Sequence, residues 1–265
     1  MSGEIIDVHT HVWPDAIAAK ALAPAVPEIP RRGDGRVSSL LAAMEDAGVG
    51  RSVCLGVADG AGRVAAANRY AGALVADRLI GFGSIHVDWR PEDLVADLRK
   101  NHLRGVKLHP LYQHFDLDDP RINEILDALQ GEFVVLSHVG GGGDSETDAL
   151  GDPTKIRRLV REFPRLDLIA AHFGGYRMLD LAEEAVIGLP VYVDTAWPPS
   201  LAALDPSRVR AIIERHGPDR VIFGSDWPMA SPADEIAAIE RLGLSAEATE
   251  AILGGNLRRL LGEGG

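Results

Sequence analysis

A single cysteine, Cys54, stands in 265 residues. That excludes an internal disulfide and any thiolate metal cluster supplied by this chain alone. A metal must therefore use His, Asp, Glu or a modified Lys. Aromatic residues make up only 5%, and there is no run of about 18 apolar residues that would span a bilayer. No basic stretch or small-residue cleavage site precedes the first apolar run, so no secretory signal is visible and the cytoplasm is the expected compartment. Positive charge is in deficit: 27 Lys and Arg face 39 Asp and Glu, a formal net charge of -12. Nucleic-acid backbones call for clustered cations. Here the pairs Arg31-Arg32, Arg157-Arg158 and Arg258-Arg259 are scattered and read as solvated surface. Neither a nucleic-acid nor a membrane partner is expected; a small-molecule substrate is, with a homodimer as the default assembly.

What the chain does contain is a rhythm. The β-rich runs EIIDVHT, SVCLGVA, LIGFGSIHV, GVKLHP, EFVVLSHV, LDLIAAHF, PVYVDTA and RVIFGSDWP are each followed by a helical pattern. Continuous apolar strands imply burial on both faces, the mark of a parallel sheet covered by helices. Eight such units predict an α/β fold, a closed (β/α)8 TIM barrel forming one domain over residues 1–265. A doubly wound open sheet is the rival, weakened by the absence of an early G-x-G-x-x-G. Gly48 and Gly217 follow two helical patterns, and Asp152-Pro153 and Ser231-Pro232 open two others. The Pro-rich, charged stretch 13–36 is expected to be a loop over one mouth of the barrel. The tail SAEATEAILGGNLRRLLG is expected to form a helix, a Gly-Gly break and a further turn.

Two imidazoles, His9 and His11, end the first run. Residues two apart in a strand face the same way, about 6.6 Å apart, so both can converge on one ion. His138 ends the fifth run, His172 the sixth and Asp226 the eighth. In a parallel barrel the carboxyl ends of all strands share one mouth, where active sites of this architecture lie. Five metal-competent or proton-transferring side chains are thereby expected in one place.

This ordered set resembles the amidohydrolase superfamily, and in particular its compact metal-dependent hydrolase group, amidohydrolase family 2. The motifs that carry the resemblance are DVHTHVW at 7–13, GVKLHP at 105–110, LSHVGG at 136–141, AAHFGG at 170–175, FGSDWP at 223–228 and ILGGNLRRLL at 252–261. The resemblance implies one divalent metal held by His9, His11, His138 and Asp226. Zinc is the expected ion, with manganese, iron and cobalt as alternatives. His172 would polarise the substrate or move a proton, and Asp226 would also take the proton of the metal-activated water. Some branches of the superfamily carry a carbamylated lysine on the fourth strand that bridges two metals. In that arrangement Lys107 would be the bridge, with His138 and His172 on the second ion; one metal is the preferred reading. Lys107 and His109 share a strand face and are also candidates for contact with an anionic substrate group.

The expected activity is hydrolysis of a C–N or C–O bond in a small amide, lactone or ester. The alternative on the same scaffold is non-oxidative decarboxylation, or hydration, of an aromatic or unsaturated carboxylic acid. A non-catalytic metal-binding barrel is the third reading. Trp13, Trp197 and Trp227 follow strands at the expected mouth and are candidates for pocket walls or for packing anchors. The run GGGG at 140–143 lacks the Lys-Ser/Thr of a phosphate loop and leads into Asp144, Glu146 and Asp148. It is expected to be a loop over the fifth strand. Ser225 lacks the second glycine of a nucleophile elbow, and a serine hydrolase is set aside.

Overall fold

The computed structural model describes residues 3–23 and 29–263. Its strands are β1 (Ile5–Thr10), β2 (Val49–Leu55), β3 (Leu79–Ser84), β4 (Gly105–Leu108), β5 (Val134–Ser137), β6 (Leu168–Ala170), β7 (Tyr192–Asp194) and β8 (Val221–Ile222). They form one eight-stranded sheet in the order β1 to β8. The Val8 N–H of β1 donates to the Phe223 carbonyl just past β8 at 2.9 Å, joining the last strand to the first. This is the (β/α)8 barrel that the rhythm of the sequence predicts.

The chain divides into two compact units. The first gathers the residues up to Cys54, Ala76–Ile80, and those from Thr195 onward. Here β1 pairs in parallel with β2, Asp7 opposite Ser52. The helix Val37–Ala47 buries Leu40 and Met44 and ends on Gly48 in the left-handed region. It packs against the helix Pro232–Glu240, whose first turn is capped by the Ser231 hydroxyl accepting from the Asp234 N–H. The tail differs from expectation. Residues 251–255 form a π-turn that runs on into the helix Asn256–Leu260, with no break at Gly254-Gly255. A Cβ on Gly254 would lie 2.1 Å from the Glu4 carbonyl oxygen, so the glycine serves close approach to the start of β1.

The expected loop 13–36 likewise contains a helix, Asp15–Ala21, in which Asp15 and the alanines favour the first turns and Ala18 is buried. Residues 24–28 of that stretch lie outside the described residues.

The second unit comprises Leu55–Val75 and Gly81–Asp194. β4, β5, β6 and β7 pair in parallel without register shifts, and every residue of β4, β5 and β6 is buried. The helix Pro120–Leu129 illustrates the covering layer. Asp119 caps it by accepting from the Arg121 N–H, proline occupies the first turn, and Ile122, Ile125, Leu126 and Leu129 form the buried stripe. Each buried aliphatic side chain contributes about 1.5–3 kcal/mol. Among the described residues, no helix is long and apolar enough to cross a membrane.

Candidate metal centre

The first unit carries three of the expected side chains. β1 buries Ile6 and Val8 completely, while Asp7 and His9 occupy the alternate positions and His11 keeps the same spacing just past the end of the strand. The His9 and His11 rings lie edge to face, with centroids 5.2 Å apart. Their Nε2 atoms stand 3.6 Å and 3.4 Å from the same oxygen of Asp226. Both distances exceed the usual N–H···O range of about 2.7–3.2 Å. Ligands placed 2.0–2.2 Å from one tetrahedral ion stand about 3.4 Å apart, so the spacing is that of donors around a shared cation. The donor atoms of His9, His11 and Asp226 all lie within 4.8 Å of one another. The His9 side chain is 1% exposed, whereas those of His11 and Asp226 keep 12% and 11%, so the trio opens to solvent on one side. Two imidazoles and a carboxylate with an open approach suit a catalytic divalent ion.

Backbone bonds fix the acid. Asp226 lies at φ +63°, in the left-handed region that Asp tolerates better than most residues. Such a conformation costs about 1–3 kcal/mol and persists where its surroundings over-determine it. Here the Asp226 N–H donates to the His9 carbonyl at 2.8 Å, and the His11 N–H to the Trp227 carbonyl at 2.7 Å. The Trp227 N–H donates to the Ser225 hydroxyl oxygen at 3.0 Å. Ser225 in turn donates its N–H and its hydroxyl to the carboxylate of Asp7, which is fully buried.

The three tryptophans singled out in the sequence fall as follows. Trp13 is half-buried and stacks on His11 with centroids 6.0 Å apart and planes 19° apart. Trp227 is 1% exposed, and a Cβ on Gly33 would fall 2.4 Å from its indole, so the chain after β1 lies directly against that ring. Trp197, also buried, belongs to the segment after β7. Farther along, Ser200 and Leu201 donate their hydroxyl and N–H to the two carboxylate oxygens of the buried Glu235. Burial pushes the Glu235 carboxyl up to about 7. Burial also pushes the Cys54 thiol up to about 12, which leaves it protonated at neutral pH.

The second unit holds Lys107, His109, His138 and His172. Lys107 is fully buried within β4. His138 immediately follows β5, and its N–H donates to the Leu108 carbonyl at 2.8 Å. Its ring stacks on that of His109, with centroids 4.3 Å apart and planes 8° apart. His172 starts a short 3-10 turn after β6 at φ +60°. Its N–H donates to the Asp194 carboxylate at 2.6 Å, and its Nε2 lies 3.0 Å from Nδ1 of His138. The Tyr176 ring packs against the His172 ring at 5.4 Å. His109 caps the short helix Pro110–Gln113, and the buried Gln113 accepts from its N–H at 2.8 Å. The glycine run leads into the helix Ser145–Leu150, where Asp144 accepts from the N–H groups of Glu146 and Thr147. That helix start is closed by a carboxylate.

Sequence reasoning missed Asp7, Asp194 and Tyr176. Asp7 and Asp194 gave a signal that was available: a lone acid within or ending a buried apolar strand demands partners. Tyr176 gave none, because a tyrosine directly after a glycine pair is ordinary loop composition.

Comparison with known proteins adds the following. The amidohydrolase family model matches residues 6–262. An L-fucono-1,5-lactonase from Burkholderia ambifaria is 25% identical over 172 residues, which are 57% of this chain and 55% of the lactonase. The chain thus spans about half the length of that relative. A Pseudomonas putida structure provisionally assigned as a 2-pyrone-4,6-dicarboxylic acid hydrolase superposes with a TM-score of 0.67 at 23% identity, covering 98% of both chains. The 5-carboxyvanillate decarboxylase of Sphingomonas paucimobilis superposes with a TM-score of 0.73 at 16% identity, over 97% of this chain and 98% of the other. Both structural likenesses are likenesses of fold.

Proposed function

We propose that this chain, which belongs to the amidohydrolase family, is a metal-dependent hydrolase that opens the ring of a small lactone by adding water across its C–O bond. The observation that carries the reading is the spacing of the His9 and His11 Nε2 atoms, 3.6 Å and 3.4 Å, from one oxygen of Asp226. Zinc is the proposed ion; manganese, iron and cobalt suit the same donor types. A divalent ion there would supply Lewis acidity and would lower the pKa of water at the site from 15.7 to about 7.

The residues divide the remaining work. His9 on β1 and His11 just past its end would present their imidazole nitrogens to the ion. Asp226 takes the proton from the attacking water as its oxygen bonds to the lactone carbonyl carbon. The ring C–O bond then breaks, and Asp226 returns that proton to the departing alkoxide. The product is a hydroxy acid, which ionises and releases one proton per turnover. His138 as a further ligand, and His172 as the imidazole that polarises the carbonyl, belong to the same proposal and rest on the family resemblance. The lactone class is supported by the lactonase relative and by the 2-pyrone hydrolase neighbour, since a 2-pyrone is itself a cyclic ester.

Decarboxylation is the second reading, favoured by the carboxyvanillate decarboxylase neighbour. The two reactions separate in one experiment. Zinc-loaded protein is offered aldono-1,5-lactones, 2-pyrone carboxylates and hydroxybenzoates while pH-indicator colour and CO₂ are followed together. Acid release from a lactone above the uncatalysed rate, abolished in His9→Ala/His11→Ala, is the expected result. CO₂ release from the aromatic acids with no lactone hydrolysis would overturn the proposal in favour of the second reading.

A further inference from the structure

Asp7 is fully buried, yet it has no place in the chemistry proposed above. One of its oxygens, Oδ1, accepts from two backbone N–H groups at equal distance: His9 at 3.0 Å and Ser225 at 3.0 Å. Its other oxygen accepts from the Ser225 hydroxyl, and that hydroxyl oxygen accepts from the Trp227 N–H. The carboxylate therefore joins the backbone of one metal-competent residue, His9, to both chain neighbours of another, Asp226. We propose that Asp7 is a positioning residue that sets the separation between the His9 imidazole and the Asp226 carboxylate, and with it the affinity for the divalent ion.

The physical case has three parts. First, His9 and Asp226 belong to segments 217 residues apart in the chain. Their relative placement depends on cross-links between β1 and the segment past β8. Second, a buried carboxylate without donors is costly, so occupation of both Asp7 oxygens makes this link stiff and disfavours alternatives. Third, Asp226 sits at φ +63°, a conformation that its neighbours must enforce. The Asp7–Ser225–Trp227 chain of bonds does so from both sides. Donor atoms must match an ion to within a few tenths of an ångström, so a link that fixes two of them acts directly on binding.

The proposal rests on the metal reading, and its test separates geometry from charge. Asp7→Asn keeps the shape and one oxygen for both N–H groups but loses the charge. Asp7→Glu keeps the charge but moves the oxygens by a methylene. Zinc dissociation constants are measured by competition with a chromophoric chelator, beside melting curves of the metal-free proteins. Supporting residues of metal sites are typically worth 10- to 100-fold in affinity, so Asp7→Glu is expected to weaken zinc by about tenfold or more and Asp7→Asn by less than about threefold. Asp7→Ala replaces the glutamate if the longer side chain does not fold, with the same expectation. The reverse order assigns the effect to charge, and glutamate and asparagine weakened alike shows that the placement of the oxygens does not set it by itself; either result overturns the proposal. Parent-like affinity in every Asp7 variant that folds overturns it as well. Parent protein that does not bind zinc, or a His9→Ala/His11→Ala variant that binds it as the parent does, defeats the metal reading instead.

Discussion

Asp226 is tied to His9 through the main chain: its N–H donates to the His9 carbonyl at 2.8 Å, while its carboxylate stands 3.6 Å from the His9 imidazole nitrogen. The main-chain bond survives any change of side chain, which allows the carboxylate to be altered without losing the fold. Asp226→Asn is therefore expected to fold, since asparagine tolerates the left-handed region as readily as aspartate. Without a proton acceptor, turnover of the lactone should fall by about 10²- to 10⁴-fold. Initial rates measured beside melting curves check both halves; undiminished turnover would remove Asp226 from the proton path.

Removal of the metal gives a second prediction. A ligand at 100 times its dissociation constant stabilises the folded state by about 2.7 kcal/mol. For a chain of this size that corresponds to a melting-temperature rise of about 5–10 °C. Dialysis against a strong chelator should lower the melting temperature by that amount and abolish turnover, and added zinc should restore both. Thermal melts with metal analysis test this directly.

Glu235 gives a pH dependence with a definite sign. Burial raises its carboxyl from an ordinary 4.5 to about 7. An acid that holds its proton more tightly when folded releases it on unfolding, so its contribution favours the folded state least at high pH. Stability attributable to Glu235 is then expected to fall by about 3 kcal/mol as the pH rises from below 4.5 through 7. Glu235→Gln can still accept from the Leu201 N–H and donate to the Ser200 hydroxyl oxygen. The difference between parent and variant in urea unfolding should therefore shift in favour of the variant between pH 5 and pH 8. A difference that stays constant with pH would contradict the raised value.

The His172 backbone gives the fourth. Its N–H donates to Asp194 at 2.6 Å from a left-handed conformation. Asp194→Ala leaves that buried donor without this acceptor, at a cost of about 1–3 kcal/mol, while Asp194→Asn retains an acceptor and should cost less. Chemical denaturation of both variants measures the two costs. Equal losses would mean that the charge of Asp194, and not its bond to His172, is what matters.

Much of this was legible in the order of residues. His9 and His11 could be paired because a strand repeats every two residues, and Asp226 could be placed because eight strand patterns imply one barrel. The barrel itself followed from apolar runs too continuous for a sheet with a wet face. The helix within 13–36 was obscured by the prolines and charges around it, although Asp15–Ala21 has helix-forming composition. At Gly254-Gly255 a local rule predicted a break, but the tertiary need for closeness to Glu4 prevailed. Asp7 signalled its need for partners by standing in an apolar strand, but the identity of one of them was hidden: Ser225 lies 218 positions away, and no local pattern reports a bond of that span.

The alternation of β1 constrains how this protein can change over generations. Asp7, His9 and His11 occupy every second position, so gaining or losing one residue between them would turn part of the set to the opposite face. A deletion or insertion there would separate the set, whereas a substitution leaves its parity intact; loops beyond the strand ends, whose backbone follows no such parity, can change length without that cost.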